Sequence, residues 1–121
     1  MTSPASQRWM DLRAELDRRA RSSKSSQSVV LELCHEYQRL DTNERTEVEA
    51  VLSSWLLSAD EGERFDAVAV VDDNEVCSAI PALRELMNRL EVSNEPGAEY
   101  EWAKVNRVLG RLVAACSNAT D

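Results

Sequence analysis

Two apolar stripes at helical spacing, joined by a short charged connector, constrain the fold of this chain most strongly. The first stripe consists of Val76, Ile80, Leu83, Met87 and Leu90. The second consists of Trp102, Val105, Leu109, Leu112 and Cys116. Steps of three and four residues place apolar side chains on one face of a helix. The connector, EVSNEPGAE, contains Asn, Pro and Gly and is short, so the pattern predicts two neighbouring antiparallel helices with a tight turn between them.

Composition extends this prediction to the whole chain. The sequence has 121 residues, 43% of them hydrophobic and 30% charged, with only three Gly and three Pro. An all-β sandwich or barrel needs many turns, whereas Ala, Leu, Arg and Glu are good helix formers. A chain of this length suits one domain that buries about two-thirds of its unfolded surface. We therefore expect a single all-α domain over residues 1–121.

The chain read in order predicts about six antiparallel helices. They cover residues 4–21, 27–40, 42–58, 63–71, 78–91 and 99–116, with a serine-rich connector at 21–28. The segment FDAVAVV is β-branched and could form a strand by propensity alone, but one strand among helices would leave its backbone groups without partners. We expect a shared core of Trp55, Leu83, Met87, Trp102, Leu109 and Leu112.

Charge is unevenly distributed along the sequence. The net charge is −8, yet residues 1–24 carry six basic and three acidic side chains, so they form a basic capping helix. Residues 25–117 form an acidic body, followed by a tail at 118–121. The range 41–75 alone holds eleven acids and two bases. Such a surface repels phosphate backbones and favours a basic protein partner, so we expect no nucleic-acid binding by the body.

Acidic residues around the fourth helix form the candidate partner-binding surface. They are Asp60, Glu61, Glu63, Asp66, Asp72, Asp73 and Glu75. Because connectors at both ends of that helix supply most of them, they are expected to flank it and to stay solvated. The alternative is that each is an ordinary acid at a helix N-terminus, where the helix dipole favours negative charge.

No residue pattern indicates catalysis, a cofactor or a metal. Cys34, Cys77 and Cys116 are far apart and lie beside apolar stripes, so we expect reduced thiols that behave as small hydrophobes, without a disulfide. His35 is the only histidine, and no HExxH, CxxC, glycine-rich phosphate loop or Ser/His/Asp set is present. Because there is also no apolar run of about 18 residues and no secretory signal, we expect a cytoplasmic protein without membrane association.

Residues 63–113 resemble HEAT repeats. The segment Ala79–Leu90, AIPALRELMNRL, is similar to the first helix of a repeat, and Ala98–Leu112, with its closing Leu-Gly-x-Leu, is similar to the second. Glu63–Asp73 looks like the second helix of the preceding repeat, with Arg64 and Ala67 at the family's arginine and small-residue positions. No Val-Arg pair opens the sixth helix, and the first half of the chain shows no repeat signature.

The resemblance implies a short HEAT-like solenoid stack, and a closed helical bundle is the alternative. HEAT-like proteins are mostly protein-binding scaffolds, although fold alone does not establish function. In size and charge the chain also resembles small acidic bacterial immunity proteins, which block basic toxic nucleases. The expected function is therefore non-enzymatic binding of a basic protein, for example a toxin domain. A structural scaffold or regulatory subunit is the alternative, and an enzyme or a nucleic-acid-binding protein ranks below both.

Overall fold

A computed structural model describes residues 3–23 and 27–118, and it confirms the all-α prediction for them. No strand occurs in these two segments. The helices are α1 Pro4–Ser23, α2 Gln27–Arg39, α3 Thr42–Leu56, α4 Glu61–Asn74, α5 Ile80–Glu91 and α6 Ala98–Asn118. Residues 24–26 of the predicted serine-rich connector and residues 119–121 of the predicted tail lie outside the described residues.

The chain divides into two compact units, Met1–Val51 and Leu52–Asp121. In the first unit, α1 packs against α2, with Trp9, Leu16 and Leu33 buried. In the second unit, α6 packs against both α4 and α5. The expectation of a single domain stays a prediction.

Side-chain caps explain where the helices of the first unit begin. The Ser6 backbone N–H donates to the Ser3 hydroxyl over 3.1 Å at the start of α1. At the start of α3 the Glu44 N–H donates to the Asp41 carboxylate over 2.8 Å, and the Asp41 N–H donates back to the Glu44 carboxylate over 3.1 Å. This reciprocal capping box satisfies N–H groups that have no partner within the helix. It confirms that one helix ends and another begins near residue 41, as the predicted ranges 27–40 and 42–58 require.

The segment FDAVAVV is helical and forms the centre of α4. Asp60 caps the helix through the Gly62 N–H, and Glu75 ends it in the left-handed conformation with φ 49°. Ala67, Val68, Val70 and Val71 are all buried. The helix prediction is confirmed, and α4 is longer than expected at both ends because these two caps lie outside the predicted range.

The expected core of the second unit is right for three residues and wrong for three. Trp55, Leu83 and Leu112 are buried, but Met87, Trp102 and Leu109 are only half-buried. Leu86 and Val108 are buried instead, together with Val105, which belongs to the predicted stripe of the last helix. Successive helical residues point about 100° apart, and adjacent apolar pairs such as Leu86–Met87 permit two overlapping stripes. The buried face of α6 is the one that packs against both α4 and α5.

The expectation that no disulfide forms is wrong. Cys77 and Cys116 are bonded to each other, with their Cα atoms 6.0 Å apart. Cys77 opens the 3₁₀ turn Cys77–Ala79 that precedes α5, and Cys116 lies in the last turn of α6. Because α5 and α6 form an antiparallel hairpin, its two open ends meet and bring the cysteines together. Cys34 is a buried thiol outside this bond.

Candidate functional site

The seven predicted acids differ in their exposure to solvent. Asp60, Glu61, Asp73 and Glu75 are exposed, and Glu63 and Asp72 are half-buried. Asp66 is buried, with 8% of its surface exposed. It lies one helical turn before the buried Val70, on the inner face of α4. Asp66 therefore contributes to the interior of the second unit, and six of the seven acids reach the surface.

These six acids form two groups, one at each end of α4. Asp60, Glu61 and Glu63 lie at its N-terminal end, and Asp72, Asp73 and Glu75 at its C-terminal end. A helix of 14 residues is about 21 Å long. The acids therefore do not form one continuous patch.

Some of the acids have structural partners at their own end of the helix. Asp60 accepts from the Gly62 N–H over 3.1 Å, and the Ser58 hydroxyl donates to Glu63 over 2.6 Å. At the other end, the guanidinium of Arg111 donates to the Asp72 carboxylate. The contacts of Asp60 and Glu63 agree with the alternative interpretation of acids at a helix N-terminus, whereas Asp72 lies at the C-terminal end of α4. Glu61, Asp73 and Glu75 are exposed, two of them at the C-terminal end of α4 and one at its N-terminal end.

An ion pair joins the N-terminal end of α4 to the first turn of α6. Arg64 donates through Nε to one oxygen of Glu101 over 2.7 Å and through an η nitrogen to the other over 3.0 Å. Its second η nitrogen donates to the Ser58 carbonyl over 3.0 Å. The hydrogen bond to Glu101 raises the pKa of Arg64, and the nearby charges of Glu61 and Asp60 add to this shift. All three nitrogens of the guanidinium are therefore engaged.

Two clefts are lined by both residues of this ion pair, and both clefts are formed within the second unit. The first, which we call the Leu86 cleft, has a volume of about 310 Å³. Its apolar lining includes Leu57, Leu86 and Leu90, and the exposed carboxylates of Glu61 and Glu95 also line it. Two arginines line it as well. Arg64 is engaged as described, and Arg89 pairs with Glu85 and donates to the Leu57 carbonyl.

The second cleft, which we call the Tyr100 cleft, lies between α4 and α6 and has a similar volume of about 310 Å³. It is lined by Phe65, Val68, Tyr100, Lys104 and Val105, among others. Phe65 is 53% exposed and Tyr100 is 77% exposed. The Lys104 ammonium lies 3.9 Å from the centre of the Phe65 ring, in position for a cation–π contact.

The sequence contained an indication of this cleft, the aromatic residue Tyr100, which the prediction from acidic residues left out. Tyr100 lies two residues before Trp102 and outside the apolar stripe of α6. Because side chains two residues apart point to nearly opposite sides of a helix, its ring is expected to face away from α5. An exposed aromatic is informative only when it adjoins other apolar surface. That neighbour, Phe65, belongs to another helix, so only the fold reveals the pairing.

The described segments offer no evidence of a metal site or a membrane span. Among residues 3–23 and 27–118, no three His, Cys, Asp or Glu side chains are grouped so that they could hold a metal ion. No helix in the same residues has the length and hydrophobicity needed to cross a bilayer.

Comparisons of the chain with protein-family models, with curated proteins and with solved structures find no match.

Proposed function

We propose that this protein is a non-enzymatic binding module that engages a basic protein partner through the acidic surface of α4. The observation that carries the proposal is the exposure of Glu61, Asp73 and Glu75 at the two ends of one helix. They belong to a unit, residues 52–121, whose sequence holds thirteen acidic and six basic side chains. Arg64 and Arg111 are already paired with Glu101 and Asp72.

The arrangement suits recruitment of a partner by charge. A single exposed ion pair contributes about 0–1 kcal/mol, so no one carboxylate would hold the partner. Their summed field acts over a Debye length of roughly 8 Å at physiological ionic strength and raises the rate of encounter with a basic surface. Because α4 is about 21 Å long, its two ends would contact separate basic patches of one partner.

The proposal includes a toxin domain as one kind of basic partner. Its support is the small size and the negative charge that this chain shares with immunity proteins. A HEAT-like scaffold or regulatory subunit is the alternative, supported by the sequence pattern of residues 63–113. The two differ in their consequence, since an immunity protein abolishes the activity of its partner and a scaffold leaves it intact.

The cytoplasmic location proposed from the sequence loses one of its supports. It rested partly on three reduced cysteines, and two of them are joined in a disulfide. Structural disulfides persist mainly in oxidising compartments. Alkylation of thiols before lysis of the producing cell tests the location: three alkylated cysteines indicate a reducing compartment, and one indicates an oxidising compartment.

Zero-length cross-linking with a carbodiimide tests the binding proposal, because it joins carboxylates directly to lysine amines in contact with them. Mass spectrometry of extract from the native source should identify cross-links from Glu61, Asp73 or Glu75 to lysines of one basic protein. Glu32, Glu47 and Glu91 are exposed acids that belong to helices other than α4 and serve as internal controls. Cross-links that come equally from the control acids, or the absence of any cross-linked protein, would contradict the proposal.

A further inference from the structure

We infer that the two clefts beside the Arg64–Glu101 pair bind one basic, amphipathic segment of a protein partner, with an apolar side chain in the Tyr100 cleft and a lysine or arginine in the Leu86 cleft. This inference rests on the proposed function and specifies its contact site. It moves the main contact from the acids along α4 to the surface shared by α4, α6 and the loop between α5 and α6.

The Tyr100 cleft has the character of a binding hot spot. Its two aromatic side chains, Phe65 and Tyr100, are large, and each exposes more than half of its surface. Leaving such apolar surface in water does not lower the free energy of the folded chain. Tyrosine and other aromatics beside a concave surface are enriched among residues that dominate binding energy. The lining residues Val68 and Val105 are buried, so an inserted side chain would meet an apolar floor.

Charge decides which side chain enters which cleft. The Lys104 ammonium already lies over the Phe65 ring, and it would repel a second cation in the Tyr100 cleft. Two carboxylates line this cleft, and one of them, Glu101, is committed to Nε and one η nitrogen of Arg64. The other, Glu61, also lines the Leu86 cleft, so a cation here would have to share it with that cleft. An apolar side chain therefore fits this cleft better than a charged one.

The Leu86 cleft has the opposite preference. Its arginines are engaged by Glu101 and Glu85, whereas the carboxylates of Glu61 and Glu95 are exposed beside an apolar lining. A lysine or arginine places its methylene stem on such a lining and its charge at the carboxylates. Because Glu61, Arg64, Pro96 and Glu101 line both clefts, adjacent side chains of one segment can enter both.

Three fluorescein-labelled peptides test the assignment by fluorescence anisotropy. The first has the core Lys-Leu-Lys-Leu-Lys flanked by glycines, the second replaces its lysines with glutamine, and the third replaces its leucines with alanine. The first peptide should bind the wild-type protein, and the other two should bind about tenfold more weakly. Equal binding of all three peptides, or no binding of the first, overturns the inference.

Substitutions in the protein locate the two preferences. Tyr100→Ala should weaken the first peptide about tenfold but leave the leucine-free peptide within about twofold. Glu95→Gln should weaken the first peptide about two- to fivefold, as one exposed ion pair allows, but leave the lysine-free peptide unchanged. Leu31→Ala and Glu32→Gln are matched controls, since both residues are exposed, line neither cleft and lie outside the loop between α5 and α6. Equal effects of control and cleft variants overturn the inference.

The outcome also separates this inference from the function on which it rests. If only Asp73→Lys and Glu75→Lys weaken the first peptide, the cleft assignment is wrong while the acidic surface of α4 stands. Cross-linking in native extract decides the proposed function independently of any model peptide.

Discussion

The guanidinium of Arg64 binds both carboxylate oxygens of Glu101, so that α4 and α6 are joined by a two-point ion pair whose side chains are only 16% and 20% exposed. A second ion pair, Arg111 with Asp72, joins the same two helices, but the Arg111 side chain is 67% exposed. The chain thus contains a shielded and an exposed version of one contact. The shielded pair should contribute more to stability, because water and salt screen exposed pairs.

The first prediction compares these two pairs. Glu101→Gln should lower the free energy of unfolding by about 1–3 kcal/mol, because it leaves the shielded guanidinium without its charged partner. Arg111→Ala should change it by less than about 1 kcal/mol. Urea denaturation followed by circular dichroism measures both. Equal losses for the two variants would show that shielding does not distinguish the pairs.

The second prediction concerns the Cys77–Cys116 disulfide, which closes a loop with a sequence separation of 39 residues. Removing a bond of this kind typically costs about 2–4 kcal/mol, mainly because the unfolded chain regains freedom. The double variant Cys77→Ala, Cys116→Ala should therefore unfold at lower denaturant concentration, and reductant should destabilise only the wild-type protein. An intact mass that matches three free thiols under native conditions would disprove the bond.

The sequence held enough information to anticipate that bond. Pro96 and Gly97, in the turn between α5 and α6, lie midway between Cys77 and Cys116. Cysteines at equal distances from the turn of an antiparallel hairpin come into register at its open end. The prediction of reduced thiols judged their distance along the chain, whereas disulfide formation depends on their distance in space.

Local signals predicted the helices more reliably than the details of their packing. The capping pair Asp41 and Glu44 and the turn at Pro96 set element boundaries through contacts only a few residues apart. The choice between Leu86 and Met87 as the buried residue depends on where α6 lies, which no local pattern records. The same reason explains Asp66, whose burial follows from the face that α4 turns inward, and the pairing of Phe65 with Tyr100.

The third prediction tests which face of α5 is buried. Leu86 is 2% exposed, so Leu86→Ala should cost about 2–5 kcal/mol through lost burial and the cavity left behind. Met87→Ala should cost markedly less, because Met87 is only half-buried. Chemical denaturation of the two variants decides between the stripes. A larger loss for Met87→Ala would restore the face predicted from the sequence.

The fourth prediction concerns Tyr37 in the first unit, whose hydroxyl donates to Glu49 over 2.6 Å. Burial raises the pKa of Tyr37, and the hydrogen bond to Glu49 raises it further. A raised pKa favours the protonated form in the folded protein, so this stabilisation is complete below the unfolded pKa of about 10 and declines as the pH rises above it. The Tyr37→Phe variant has no ionisable hydroxyl at this position, so its free energy of unfolding should not show this decline.

Urea denaturation of both proteins between pH 8 and pH 10.5 measures the difference. The stability of the wild-type protein relative to Tyr37→Phe should fall by about 0.8 kcal/mol over this range, with the change concentrated near its upper end. A difference that stays constant with pH would mean that Tyr37 ionises equally in the folded and unfolded states.

The most direct test of the account is the rate at which this protein associates with the basic protein identified by cross-linking. If the acidic surface of α4 recruits that protein, reversing Glu61, Asp73 and Glu75 to lysine should slow association about tenfold or more at low salt, with the helical signal intact. Reversing Glu32, Glu47 and Glu91 changes the net charge equally and should alter the rate by less than about twofold. Equal slowing by both sets would show that net charge alone attracts the partner, and no slowing by either would contradict recruitment through the acidic surface of α4.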